Sequence, residues 1–269
     1  LHAKQGDALI GDYFLGVSSN RDEWVYDLSK QTLESKMKHF VDTLNADADA
    51  ITRREDENKL SQAIKWSRDL KAKFFRNKLN LSYSRDKVVR ASYRPFSDVF
   101  LYAEPVLVDI LFDKHLSFIK NEVKAPTRAI LYTAPSSGKP FMALCSASIA
   151  DLHFVGAGAG TLCLAQHSYG ADGTRHDNLT DWGLDQFRTH YGDSGITKEQ
   201  VFHYVYAVLH DPLYREKYAL NLKREFPRIP FYPDFYRWAA WGKELMELHI
   251  GYETAEPYPL ELVSSQSKA

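Results

Sequence analysis

The forty residues ITKEQVFHYVYAVLHDPLYREKYALNLKREFPRIPFYPDF (196–235) constrain the fold more than any other part of the chain. Thr197 and Gln200 form a T-x-x-Q capping box, and Val201, Phe202, Val205, Val208 and Leu209 follow on one helical face. Asp211-Pro212 supplies an N-cap and a proline at the first helical position, so a second helix opens there and must stop before Pro227. Pro227, Pro230 and Pro233 stiffen the link that follows. Asp234 then caps a third helix, with Phe235, Trp238, Leu245 and Leu248 expected inward.

The rest of the chain is organised differently. Ser29 fits an N-cap for a helix carrying Leu33, Met37, Phe40, Val41 and Leu44 on its apolar side. Residues 45–58 read as a connection, and a second amphipathic helix is expected from Lys59 to Phe75, with Leu60, Ile64 and Phe74 buried. In the middle, VFLYA (99–103), VLVDILF (106–112), RAILYT (128–133), FMALCS (141–146) and DLHFV (151–155) are short apolar or alternating runs, which predicts strands. Residues 156–178 are rich in Gly and polar groups and read as loop. Helices, then strands, then helices predict an α+β fold: N-terminal helices, a β-rich middle with long loops, and a C-terminal helical segment. The expected division is a mixed region over 1–180 and a helical support over 181–269, joined as one continuous domain.

Motifs for chemistry are weak. FVGAGAG (154–160) matches the F-x-G-x-G of S-adenosylmethionine loops, but TLCLAQ follows as a strand where such loops need a helix. No two prolines are adjacent, so the Pro-Pro-aromatic grip of amino-methylating enzymes is missing. SSGKP (136–140) lacks the P-loop's first Gly and its Ser/Thr. His203 and His210 are read as surface histidines rather than a metal pair. Asp113, Glu122 and Lys124 echo the D…E-x-K of metal-dependent nucleases, which leaves a nuclease as one alternative and a non-catalytic protein-docking module as another. No catalytic residue and no metal site is otherwise assigned. Two cysteines without C-x-x-C suit a reducing, cytoplasmic setting, and no run of about 20 apolar residues suggests a membrane span. The start at Leu1 suggests an excised or processed chain.

Charge is more informative. Lys65, Arg68, Lys71, Lys73, Arg76, Lys78, Arg85, Lys87 and Arg90 face only Asp69 and Asp86 within 65–90, a window of net +7 in a chain of net −1. Interleaved with Phe74, Phe75 and Tyr83, this stripe reads as a phosphate-contacting surface or a solvated helix face.

Several stretches together resemble the C-terminal specificity domain of bacterial Type ISP restriction-modification enzymes: GVSSNRDEWVYDLS (16–29), WSRDLKAKF (66–74), YRPF (93–96), DLHFVG (151–156), GKELMELHIGYE (242–253) and, most specific, residues 196–235. The sequence departs from that family in GAGAGTLCLA, where a Pro-Leu-aromatic exit from the strand is expected. The resemblance implies a module for sequence-specific recognition of double-stranded DNA, partnered by methyltransferase and translocase domains of the same natural chain. The parent would use S-adenosylmethionine, ATP and Mg²⁺, with no cofactor in this part. On that reading phosphate contacts are expected from the nine stripe residues, and base contacts from residues on loops between strands, with Asn20, Arg21, Arg175, His176 and Asn178 as the candidates. Arg94 and Arg228 are expected to be structural arginines.

Overall fold

A computed structural model describes residues 1, 7–51, 53–77, 79–122, 127–170 and 172–260, the side chains of 119–122 aside. Strand β1 (Phe14–Leu15), helix α1 (Asp22–Val25) and strand β2 (Tyr26–Asp27) lead into the long helix α2 (Lys30–Ala50). A 3-10 turn (Arg54–Lys59) and helix α3 (Arg68–Asn77) precede strands β3 (Val88–Arg94) and β4 (Ser97–Tyr102) and helix α4 (Asp113–Glu122). The middle holds β5 (Ala129–Thr133), β6 (Ala143–Ser146), β7 (Ile149–Ala150), β8 (Thr161–Ala165), β9 (His167–Tyr169) and β10 (Arg175–Asp177). Helices α5 (Asp181–Tyr191), α6 (Lys198–His210), α7 (Pro212–Lys217), α8 (Ala219–Arg224) and α9 (Phe235–Ile250) complete an α+β fold.

Three sheets organise the strands. An antiparallel sheet runs β1-β8-β5-β6, a second runs β2-β4-β3-β7 with β3 and β7 parallel, and β9 and β10 form a separate antiparallel ribbon. The first sheet is buried on both sides. Strand side chains alternate between faces, and here each face feeds a different core. Ala129, Leu131, Leu144, Cys163 and Ala165 join the N-terminal helices and second sheet. Ile130, Tyr132, Cys145, Leu162 and Leu164 join the C-terminal helices.

Local signals set the helices. Ser29 caps α2, accepting from the Thr32 N–H at 3.3 Å, and Leu33, Met37, Phe40, Val41 and Leu44 are buried as their spacing requires. Thr197 and Gln200 form the reciprocal box, Asp211 accepts from the Leu213 N–H, and Asp234 from the Arg237 N–H. Thr197→Ala removes one half of the box and should lower stability by about 1 kcal/mol. A thermal or denaturant titration showing no change would contradict that role.

Several expectations are corrected. The helix expected from Lys59 starts only at Arg68, because Ser67 Oγ accepts the Leu70 N–H at 3.1 Å and so caps a later start. VLVDILF and DLHFV are turns whose buried Leu107, Val108, Leu111 and Phe154 mimic strand alternation. Strand β3 and helix α5 were not anticipated, α2 runs six residues into the expected connection, and the loop-rich 156–178 holds the ribbon strands β9 and β10 besides the expected TLCLA strand. The helix after Pro212 breaks at Tyr218 before ending short of Pro227. His203 is buried, because α6 is enclosed almost all round, and Leu248 is 56% exposed.

The proline link is held by tyrosines. Tyr204 Oη donates to the Pro230 carbonyl at 2.8 Å and accepts the Tyr232 N–H at 2.6 Å. Tyr191 and Tyr214 donate to the carbonyls of Tyr232 and Arg228. Burial raises the Tyr204 and Tyr214 hydroxyls above their ordinary range, so both remain protonated donors. Arg228 pairs with Glu225 at 3.0 Å but is mostly exposed, so tyrosine hydroxyls, not its guanidinium, satisfy the loop carbonyls. Arg94 meets Asp151 at 2.6 Å on the edge of the second sheet, a structural placement.

Candidate nucleic-acid interface

The basic stripe follows from α3 and the strand after its loop. Leu70 and Phe74 turn inward, which leaves Arg68, Lys71, Lys73 and Arg76 to the polar side. The structure then supplies counter-charges that the local window lacks. Lys65 pairs with Glu23 at 3.1 Å, Lys71 with Glu57 at 2.7 Å and Arg85 with Glu34 at 3.0 Å. Lys87 pairs with Glu104, Arg68 weakly with Asp69, and Arg90 with Asp98 and Glu253. Lys73 donates to the carbonyls of Pro105 and Val106, whereas Arg76 has no ion pair among the described residues. Lys78 lies outside the described residues. Exposed pairs of this kind contribute about 0–1 kcal/mol each, so phosphate could replace the carboxylates, but the net field is far below +7.

The five base-contact candidates fall into two groups. Arg21 is fully buried, 3.4 Å from Asp109, donating to Ser67 Oγ at 2.5 Å and to the Leu107 carbonyl. Asn20 has a left-handed backbone (φ 55°) and donates to the same Asp109 at 2.7 Å. Asn178 is buried, with its amide donating to the Asp12 and Ala165 carbonyls and accepting the Asp12 N–H. The buried guanidinium of Arg21 and the buried amide of Asn178 cannot reach a base from these positions, because the backbone groups they satisfy would be left unpaired. Arg175 and His176 differ. Both are exposed on β10, and neither side chain has a hydrogen bond or ion pair to release among the described residues.

Their ribbon is well defined. Arg175 stands opposite Tyr169, His176 opposite Ser168 and Asp177 opposite His167. Gly173 turns the chain at φ +81°, and Asp172 accepts from both the N–H and the hydroxyl of Thr174. Tyr169 Oη lies 2.7 Å from Thr127 Oγ1, tying the turn end of the ribbon to the residues just before β5.

A polar groove of about 550 Å³ runs beside it, lined by Arg128, His167, Arg175, Asp177, Arg188 and Lys198, with Glu199 and Thr197 at its α6 end. Arg188 Nε donates to the Ile196 carbonyl at 3.0 Å. Lys198 Nζ is 2.6 Å from Asp181 and 4.0 Å from Asp177, and His167 Nδ1 is 3.2 Å from Asp177. Burial and then the Arg175 charge lower the His167 pKa, against the pull of Asp177, which favours a neutral ring at pH 7. Arg128 and Arg188 escaped the sequence reading because neither belongs to a charged run; they meet only through folding.

The nuclease alternative loses its geometry. Asp113 and Glu122 are the first and last residues of α4, about 13 Å apart along its axis at 1.5 Å per residue. Lys124 lies outside the described residues, and among the described residues no group of three or more His, Cys, Asp or Glu could hold a metal ion. The glycines of FVGAGAG form turns that lead into strand β8, not a helix. Among the described residues no helix is long and apolar enough to cross a membrane.

Comparison with known proteins places these features in context. The family model described as Type ISP C-terminal specificity domain matches residues 8–269. The DrdV–DNA complex superposes with a TM-score of 0.86 at 39% identity, over 94% of this chain and 24% of that one. A nuclease-deletion mutant of the Type ISP restriction-modification enzyme LlaGI, in complex with a DNA substrate mimic, superposes at 0.78 with 25% identity, over 95% and 19%. The ATP-dependent Type ISP enzyme LlaBIII, bound to DNA, shares the fold at 0.81 with 24% identity, over 95% and 17%. The chain thus spans a quarter or less of these proteins. No curated protein sequence matches it.

Proposed function

From the premise that this chain belongs to the Type ISP C-terminal specificity domain family, we propose that it recognises a defined sequence in double-stranded DNA on behalf of a longer cytoplasmic restriction-modification enzyme. Methylation of adenine, translocation and cleavage belong to other domains of that enzyme, which would bind S-adenosylmethionine, ATP and Mg²⁺. This module performs no bond chemistry; it positions DNA so that an adenine can be turned out of the stack into the methyltransferase pocket.

The observation that carries the reading is the exposed two-stranded ribbon with uncommitted Arg175 and His176, beside a groove of arginines. The major groove, about 12 Å wide, admits a two-stranded ribbon, and its base edges distinguish all four pairs. Arg175 can donate two hydrogen bonds to a guanine edge, whereas His176, its neighbour on the strand, faces the other side of the ribbon. Arg21 and Asn178 are assigned structural roles, and Asn20 reaches a base only by releasing Asp109. The stripe cations, Arg76 and Arg68 foremost, supply sequence-independent phosphate contacts whose strength falls with salt.

The test is binding of this chain to a random duplex pool across a salt series, with the bound fraction sequenced. Enrichment of a short motif is expected. Binding without enrichment would leave only a basic docking surface, and absence of binding at low salt would overturn the reading. Arg175→Ala should reduce discrimination at one position of that motif by about 1–3 kcal/mol while leaving the other positions as selective as before. An unchanged motif would remove Arg175 from base reading.

A further inference from the structure

The geometry points to the groove between the ribbon and the α5–α6 corner as the seat of one backbone phosphodiester of the bound duplex, with Arg128 and Arg188 as its donors. The inference rests on the DNA-recognition reading and adds to it a site built from residues outside every charged run of the sequence.

The first argument is spatial. Two paired strands lie about 4.8 Å apart, and with side chains a ribbon fills most of the major groove's roughly 12 Å. A ribbon seated there has a sugar-phosphate wall along each flank. Beyond Arg175, which stands on the ribbon's edge of this groove, the concave surface next to β9–β10 therefore meets phosphates rather than base edges. Its position follows from the fold: Arg128 precedes β5, Arg188 stands in the last turn of α5, and Thr197 caps α6.

The second argument is about donors. Arg188 Nε is held by the Ile196 carbonyl, so the guanidinium is oriented while its two terminal nitrogens have no hydrogen bond or ion pair among the described residues. Such a fork suits the paired oxygens of a phosphate. Arg128 has no hydrogen bond or ion pair from its side chain among the described residues, although it is partly buried. Lys198 is different, since Asp181 already holds it at 2.6 Å.

Charge then sets the size of the effect. With Lys198 and Asp181 offsetting each other, Arg128, Arg175 and Arg188 face Asp177 and Glu199, a small positive excess. Removing one arginine brings the groove to neutrality, while removing the Glu199 charge raises the excess. The site is therefore expected to respond in both directions, which a merely structural arginine would not do.

The experiment measures duplex affinity of the whole chain by anisotropy from low to moderate salt, on the selected motif and on a scrambled duplex. Arg128→Ala is expected to weaken both duplexes about threefold to tenfold, leaving their ratio intact, and to reduce the salt slope by about one; Arg188→Lys, which keeps the charge but loses the fork, is expected to weaken both with the slope unchanged. Glu199→Gln is expected to tighten both severalfold. Thermal melts select the variants that remain folded, and Arg188→Lys keeps the charge if Arg188→Ala does not fold. Unchanged affinity and slope in Arg128→Ala, with wild type binding its motif, would overturn the seat and leave the recognition reading standing. Loss confined to the selected motif would make these arginines base readers and equally overturn it. If inorganic phosphate stabilises wild type but not Arg128→Ala, while both bind duplex equally, the groove holds a free anion and not DNA. Failure of wild type to bind either duplex at low salt would remove both conclusions.

Discussion

Gly242→Ala is expected to be the most damaging single methyl group that can be added to this chain. Helices α6 and α9 cross with their backbones in near contact, and a β-carbon at position 242 would lie 1.8 Å from the His203 carbonyl oxygen. The obstacle is helical backbone, which cannot turn aside as a side-chain tip can. The helices must separate, and the separation spreads to Val205, Val208 and Met246, which are packed in the same core. Overpacking of this kind commonly costs about 1–3 kcal/mol and here should reach or exceed the upper end. For a chain of this size that corresponds to a fall in melting midpoint of about 6–12 °C. Gly138→Ala is the control, with open space where its β-carbon would sit. A Gly242→Ala midpoint within about 2 °C of wild type would show that the helices can part freely. Gly16, whose β-carbon would lie 2.4 Å from the Asp151 carbonyl oxygen, should behave like Gly242.

Arg21→Ala should be nearly as severe, and for an electrostatic reason. Its guanidinium is fully buried against Asp109, Ser67 and the Leu107 carbonyl, so it links the start of α1, the cap of α3 and the turn before α4. Truncating it leaves a carboxylate that is itself almost completely buried without its counter-charge, held among the described residues only by the Asn20 amide. Breaking one side of a buried pair typically costs about 3–5 kcal/mol. Arg21 Nε is already without a partner, so this pair is not an optimised one, and the cost comes chiefly from abandoning Asp109. The two roles separate cleanly by experiment. A structural arginine lowers the melting midpoint of Arg21→Ala while the folded fraction selects the same DNA motif. A changed motif at wild-type stability would restore Arg21 to base reading.

What was legible in the sequence was local. Ser29, Thr197, Asp211 and Asp234 act on neighbours three residues away, so their caps could be read without knowing the fold. The stripe Leu33–Met37–Phe40–Val41–Leu44 needed only helical periodicity. Long-range features were less accessible. VLVDILF satisfies strand spacing, yet its side chains are buried from a turn by elements distant in sequence. VVRASYR carries Arg and Ser that hide a strand, because the second sheet has an open side for Arg90 while Ser92 is held by Asp98 and two buried serines. The charge stripe misled for the same reason. Its neutralising partners, Glu23, Glu34, Glu57, Glu104 and Glu253, lie outside the window that was summed. Of the candidate site, Arg175 and His176 could be named from sequence as candidates because they lie in a loop-rich stretch between strands. Arg128 and Arg188 could not be, since only the fold brings residues sixty positions apart to one groove.

The central sheet has a consequence for transplantation. Strands β5, β6 and β8 send alternate side chains to two cores, so a cut near residue 180 would not yield a portable recognition half and a portable helical half. Ile130, Tyr132, Leu162 and Leu164 would be stripped of cover together. Exchanging target preference between relatives by swapping large pieces therefore asks two interiors to repack at once. The ribbon is a smaller cassette: it follows the end of β8, pairs only with itself and is held near its turn by Tyr169 on Thr127. Chimeras that graft residues 167–177 with that tyrosine in place should retain both interiors and, on the proposed reading, carry target preference with them without rebuilding the scaffold.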